Sequence, residues 1–125
     1  MSSWTPISLE QLRDEIASDE SQMDPDLVRL WNLVRVDFVK WTQRPWGDRG
    51  NGFWVVGLIG SRVLYYNDIE EGFNWSTYTE RGRIDEDGFE EDGLGLAINK
   101  LRQYIQQGGP WGDFEPPEPA PLADV

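Results

Sequence analysis

The carboxylates of this 125-residue chain are its only side chains dense enough in one place to suggest chemistry. Residues 85–92 read Asp-Glu-Asp-Gly-Phe-Glu-Glu-Asp, six acids in eight positions, and Asp68, Glu70 and Glu71 precede them. Such oxygen-rich groups suit a hard divalent cation, the paired acid and base of glycoside hydrolysis, or a positively charged partner surface. Spacing argues against the cation. If Asp85 stands third in an EF-hand loop, the first position is Arg83 and the twelfth is Leu94, and neither is a ligand. Paired catalytic carboxylates need unlike environments across a cleft, whereas these acids fall between elements, on loops. A cationic partner and a merely solvated acidic face remain.

The run from Tyr66 to Trp75 adds aromatic residues to the first acidic group. Carboxylates accept bidentate arginine pairs, and rings supply anchors and cation–π contacts. The candidate partner-binding residues are therefore Asp68, Glu70, Glu71, Trp75, Asp85, Glu86, Asp87, Glu90, Glu91 and Asp92. No catalytic residue, metal ligand or cofactor is assigned. The sequence has no histidine and no cysteine, which removes the commonest general base, the usual zinc ligands and the Ser-His-Asp triad. Lys40 and Lys100 are the only lysines a Schiff-base or Ser-Lys mechanism could use.

The net charge of −12 is unevenly spread. Residues 67–93 hold ten acids and two bases, whereas residues 31–66 hold two acids and five bases. A field of this sign should repel nucleic acid and anionic membranes and attract basic proteins. No apolar run reaches the ~20 residues that span a bilayer. The Met-Ser-Ser-Trp-Thr-Pro start lacks the basic and apolar regions of a signal peptide. A cytoplasmic setting is the expectation.

The elements that must position these acids can be read from capping and periodicity. Ser8-Leu-Glu-Gln11 is a capping box, and Leu9, Leu12 and Ile16 carry a first helix to about Ala17. Asp24-Pro25 starts a second, which should stop near Trp31 or Asn32. Leu33–Val39 reads as a strand and residues 41–51 as a loop. Phe53–Ile59 and Arg62–Asn67 form a hairpin about Gly60-Ser61, with glycine first as a type II′ turn requires. Pairing across that turn sets Val56 opposite Tyr65 and Trp54 opposite Asn67. Phe73–Thr79 follows as a further antiparallel strand, extended or ended by residues 82–84. Asp92 should cap a last helix whose stripe is Leu94, Ala97, Ile98, Leu101, Tyr104 and Ile105. Trp54, Val56, Leu58, Val63 and Tyr65 should share the sheet face beneath it. The class is α+β: two N-terminal helices, an antiparallel meander of about four strands, and a C-terminal helix packed on the sheet. Residues 1–107 make one domain, and the proline-rich acidic segment 108–125 should be mobile.

The stretch from Gly52-Phe-Trp-Val-Val-Gly through Leu64-Tyr-Tyr-Asn-Asp-Ile-Glu-Glu-Gly-Phe to Gly82-Arg-Ile84 resembles short uncharacterised bacterial proteins, some of them immunity-protein-like. The resemblance covers about residues 52–84 and implies binding rather than catalysis. With the charge pattern, it favours a stoichiometric inhibitor of a basic protein or nucleic-acid-binding enzyme. An immunity protein for a toxin nuclease and a phage anti-defence nucleic-acid mimic are two forms of that reading. An acidic adaptor or secretion-type chaperone, with an apolar groove, is the alternative, and an enzyme using carboxylates or a metal is a third.

Overall fold

The computed structural model describes residues 5–42, 52–85 and 90–108. Three helices, α1 (Leu9–Glu20), α2 (Pro25–Val34) and α3 (Leu94–Gln107), accompany four strands, β1 (Arg35–Trp41), β2 (Phe53–Ile59), β3 (Arg62–Asn67) and β4 (Gly72–Thr77). The strands form one antiparallel sheet in the order β1-β2-β3-β4. The fold is the α+β meander with its C-terminal helix on the sheet. Most of the loop expected over residues 41–51, and the proline-rich segment after Gly108, lie outside the described residues.

Local chemistry starts both N-terminal helices where their caps require. The Ser8 hydroxyl accepts from the Gln11 amide at 3.0 Å, and the Gln11 side chain accepts from the Ser8 amide at 2.9 Å. Asp24 accepts from the Leu27 amide at 2.9 Å, with Pro25 following. Hydrogen bonding to Leu27, and the Arg102 guanidinium, hold the Asp24 carboxyl below the usual carboxylate range.

Both helices run further than periodicity suggested. Glu20, in the last turn of α1, accepts from the Trp31 indole at 2.6 Å and from Arg35 at 3.1 Å. Those bonds extend the helix past its apolar stripe. In α2, Leu27, Trp31 and Val34 sit at helical spacing and are all buried. Val34 therefore ends the helix instead of belonging to the strand, and Arg35 turns directly into β1.

The hairpin turns at Gly60, whose φ of +59° is readily adopted only by glycine. Leu58 pairs with Val63 and Gly57 with Leu64, but between Val55 and Gly57 the register shifts. Beyond that β-bulge Val55 pairs with Tyr65 and Trp54 with Tyr66, which corrects the continuous register expected for Val56, Tyr65, Trp54 and Asn67.

The bulge also reassigns the faces. Val56, Leu64, Tyr66, Phe73 and Trp75 join Leu12, Ile16, Trp31 and the buried stripe of α3 in one core cluster. Trp41, Phe53, Val55, Val63, Tyr65 and Ile84 form a second, with Leu58 packed against it. Leu58, Val63 and Tyr65 thus lie on the face away from α3. Within α3, Leu94, Ala97, Ile98 and Leu101 are buried, while Ile105 is 55 % exposed and does not reach the core.

The second face is closed by residues 80–85. Thr42, just past β1, donates to Gly82 at 3.0 Å and accepts from Ile84 at 2.8 Å, while the Asp85 amide donates to Thr77 at 3.2 Å. This short segment links the C-terminal ends of the two outer strands and sets Ile84 into the second cluster. Among the described residues no helix is long and apolar enough to cross a membrane.

Candidate functional site

The acidic turn between β3 and β4 is built by Asn67. Its buried side-chain oxygen accepts from the amides of Ile69 at 3.0 Å and Glu70 at 3.1 Å, which fixes the turn. Glu71 closes it with φ +61°, a left-handed conformation uncommon outside glycine. Asp68 reaches across to the segment before α1, where its carboxylate accepts from the Ile7 amide at 2.7 Å. Burial raises the Asp68 carboxyl above the usual range, partly offset by the Ile7 amide and by Lys40. The Ile7 carbonyl in turn accepts from the Trp54 indole at 3.1 Å, so this corner is tied to the sheet.

Helix α1 lies beside the turn and adds Glu15 and Asp19. The Glu15 carboxyl is raised by burial and then by the negative charges of Asp19 and Glu71. The Tyr66 hydroxyl is pushed up to about 12 by burial and then by Glu15, Glu71, Asp68 and Asp19. These shifts have one physical cause: several carboxylates crowd a partly desolvated space. That space is a cleft of about 360 Å³ lined by Thr5, Ile7, Gln11, Glu15, Tyr66, Asp68 and Glu71.

The second acidic group reaches the same corner through Gly72. A Cβ at Gly72 would stand 2.2 Å from the Glu90 carbonyl oxygen and 2.4 Å from the Glu91 Cα, so only glycine allows residues 90–92 to lie there. The Phe73 amide donates to the Asp92 carbonyl at 2.9 Å. Asn74 accepts from the Glu90 amide at 2.9 Å and donates to the Glu90 carbonyl at 3.2 Å. Glu90 and Glu91 are thereby held beside Glu71.

The structure divides the sequence candidates. Asp68, Glu70, Glu71, Glu90 and Glu91 share one corner, with Glu90, Glu91 and Glu71 exposed. Asp92 is turned inward onto Lys100 at 2.8 Å, with Glu90 3.9 Å from the same ammonium. Asp85 lies at the far end of β4, where its carboxylate accepts from the Thr77 hydroxyl at 3.3 Å. Trp75 is not a surface anchor. It is 3 % exposed, and its indole donates to the Ala97 carbonyl at 2.9 Å, because β4 alternation turns it with Phe73 toward α3. Glu86 and Asp87 lie outside the described residues.

Asp92 does not cap α3 either. Gly93 is the N-cap and makes no side-chain cap bond, and the Leu94 amide donates instead to Asp19 at 3.0 Å. Glu15 and Asp19 are the site residues that sequence reasoning missed. Their signal was the i, i+4 spacing of two like charges, which destabilises an isolated helix. Among the described residues no group of three or more histidine, cysteine or carboxylate side chains is placed to hold a metal ion.

Comparison with protein-family models, with curated proteins and with solved structures finds no match in any of the three.

Proposed function

We propose that this protein is a stoichiometric inhibitor of a basic, nucleic-acid-handling enzyme, acting in the cytoplasm as an immunity protein or a nucleic-acid mimic does. The observation that supports the reading is the meeting of the two acidic segments at Gly72, where the backbone of Glu90 and Glu91 packs against the turn that carries Glu71, itself close enough to Glu15 of α1 to act on its charge. Nuclease sites are electropositive, and a concentrated negative field speeds encounter with them and rejects acidic competitors. Such a role needs a charged, preorganised surface and no catalytic group.

The test is capture from the native host at low salt, with a variant in which Glu70, Glu90 and Glu91 are all changed to Lys. The variant should fold, because Glu90 and Glu91 are exposed and Glu70 is half-buried on a turn, and charges so placed contribute little to stability. It should lose more than about tenfold in affinity for the captured protein at ~50–150 mM salt, where surface charges are only partly screened. Equal affinity in the variant overturns the reading.

A further inference from the structure

We infer that the cleft between α1 and the β3–β4 turn is the seat of one arginine side chain of the partner protein, clasped by Glu15, Glu71 and the Tyr66 hydroxyl. The inference rests on the inhibitor reading above and names the chemistry of its central contact.

Two independent observations carry it. The first is the cleft itself, about 360 Å³, with carboxylates entering from a helix on one side and a turn on the other. The second is Tyr66. It is 5 % exposed, its ring is set against Phe73 at 4.8 Å between centroids, and it lines this cleft. Its hydroxyl makes no hydrogen bond among the described residues, and its residual exposure is to be expected of a side chain that lines a cleft. The charged groups that face it are Glu15, Glu71, Asp68 and Asp19. A hydroxyl placed among carboxylates, yet bonded to none of them, leaves its oxygen available to a donor entering the cleft.

A cation relieves the crowding that the carboxylates impose on one another. Guanidinium fits better than ammonium for a geometric reason. Its planar fork carries five N–H donors at fixed angles and can bridge acceptors on different elements. Ammonium offers three donors about a single point. Glu15 and Glu71 line the cleft from its two sides and, with the phenol oxygen, are the acceptors that an entering fork would bridge.

The experiment titrates the 15N-labelled protein with N-acetylargininamide, followed by amide chemical shifts. N-acetyllysinamide and magnesium chloride at matched ionic strength serve as comparisons. Saturable shifts centred on Ile7, Glu15, Tyr66 and Asp68 are expected, with the lysine analogue at least about threefold weaker. Glu15→Gln and Tyr66→Phe should each weaken the arginine analogue by at least about threefold, the range of one lost hydrogen bond. Glu80→Gln, remote from the cleft, should change it less than about twofold. The inference is overturned by shifts that do not saturate, by equal response to the lysine analogue or to magnesium, or by insensitivity to Glu15→Gln. Glu15 is exposed, so that variant decides the matter even if Tyr66→Phe fails to fold. Loss of capture in the Glu70, Glu90 and Glu91 reversal, with no response to the arginine analogue, refutes the cleft and leaves the inhibitor reading standing. Capture that survives the reversal refutes the inhibitor reading itself.

Discussion

Replacing Gly72 with alanine should split the acidic corner in two. The new methyl would stand 2.2 Å from the Glu90 carbonyl oxygen, 2.4 Å from the Glu91 Cα and 2.7 Å from the Glu91 carbonyl carbon. All three are backbone atoms, so no side-chain rotation relieves the overlap. Comfortable contact lies near ~3.5 Å, so residues 90–92 must retreat by about 1 Å. The bonds from Phe73 to Asp92 and between Asn74 and Glu90 are 2.9–3.2 Å long. Lengthened by that amount, they fall outside hydrogen-bonding range. Three bonds at about 0.5–1.5 kcal/mol each give a loss of roughly 2–4 kcal/mol. Chemical denaturation measures the total, and hydrogen exchange at the Phe73 amide locates it. Gly60→Ala is the control. Nothing lies within 4 Å of its added methyl, and its φ of +59° confines the penalty to backbone strain of about 1–2 kcal/mol. If Gly72→Ala costs less than ~0.5 kcal/mol and leaves Phe73 protected, the contact between the two acidic segments is refuted.

Leu101→Ala should cost ~2–5 kcal/mol, whereas Ile105→Ala should stay within ~0.5 kcal/mol, because Leu101 is fully buried and Ile105 is 55 % exposed; comparable losses in urea denaturation would contradict the packing of α3. Asp19→Ala should lose ~0.5–2 kcal/mol by uncapping α3, and Asp19→Asn, which keeps an acceptor for Leu94, should lose less; equal losses would remove the long-range cap. Absorbance at 295 nm should show a component ionising near 12 that is lost in Tyr66→Phe. Below pH 10 folded and unfolded chains both keep the Tyr66 proton, and above it the unfolded chain releases it first. Stability should therefore fall with rising pH between about 10 and 12, more steeply than in the variant, and a parallel decline in both would contradict the assignment.

Much of the fold was legible because its signals are local. Ser8 with Gln11, and Asp24 with Pro25, specify helix starts within four residues. Gly60 specifies the hairpin, and the stripe from Leu94 to Leu101 specifies the buried face of α3. The bulge at Val56 was not legible. Apolar residues occupy both faces of β2, so a shift of one position leaves its pattern unchanged. The end of α2 was ambiguous for a similar reason, since Val34 fits either a helical stripe or a strand. The alternation of Phe73 and Trp75 correctly paired those residues, but it could not say that their face was the one beneath α3. The candidate site was half legible. The acids stand out in the sequence, but their meeting depends on the space left by Gly72. The roles of Asp19 and Glu15 depend on α1 lying against segments far away in the chain.

The bonds that hold residues 90–92 along β4 use main-chain atoms of Glu90 and Asp92 and the Asn74 side chain. Main-chain atoms are common to almost every amino acid, so this rim is fastened in a way that hardly depends on what it displays. Mutation can rewrite the exposed position 91, and its neighbours on the turn, without loosening a ladder. A lineage of such proteins can therefore drift in recognition while its scaffold stands still. If the acidic corner binds a partner as proposed, two relatives with superimposable sheets need not share that partner, and the identities at 70, 71, 90 and 91 would be a better guide to it than the fold.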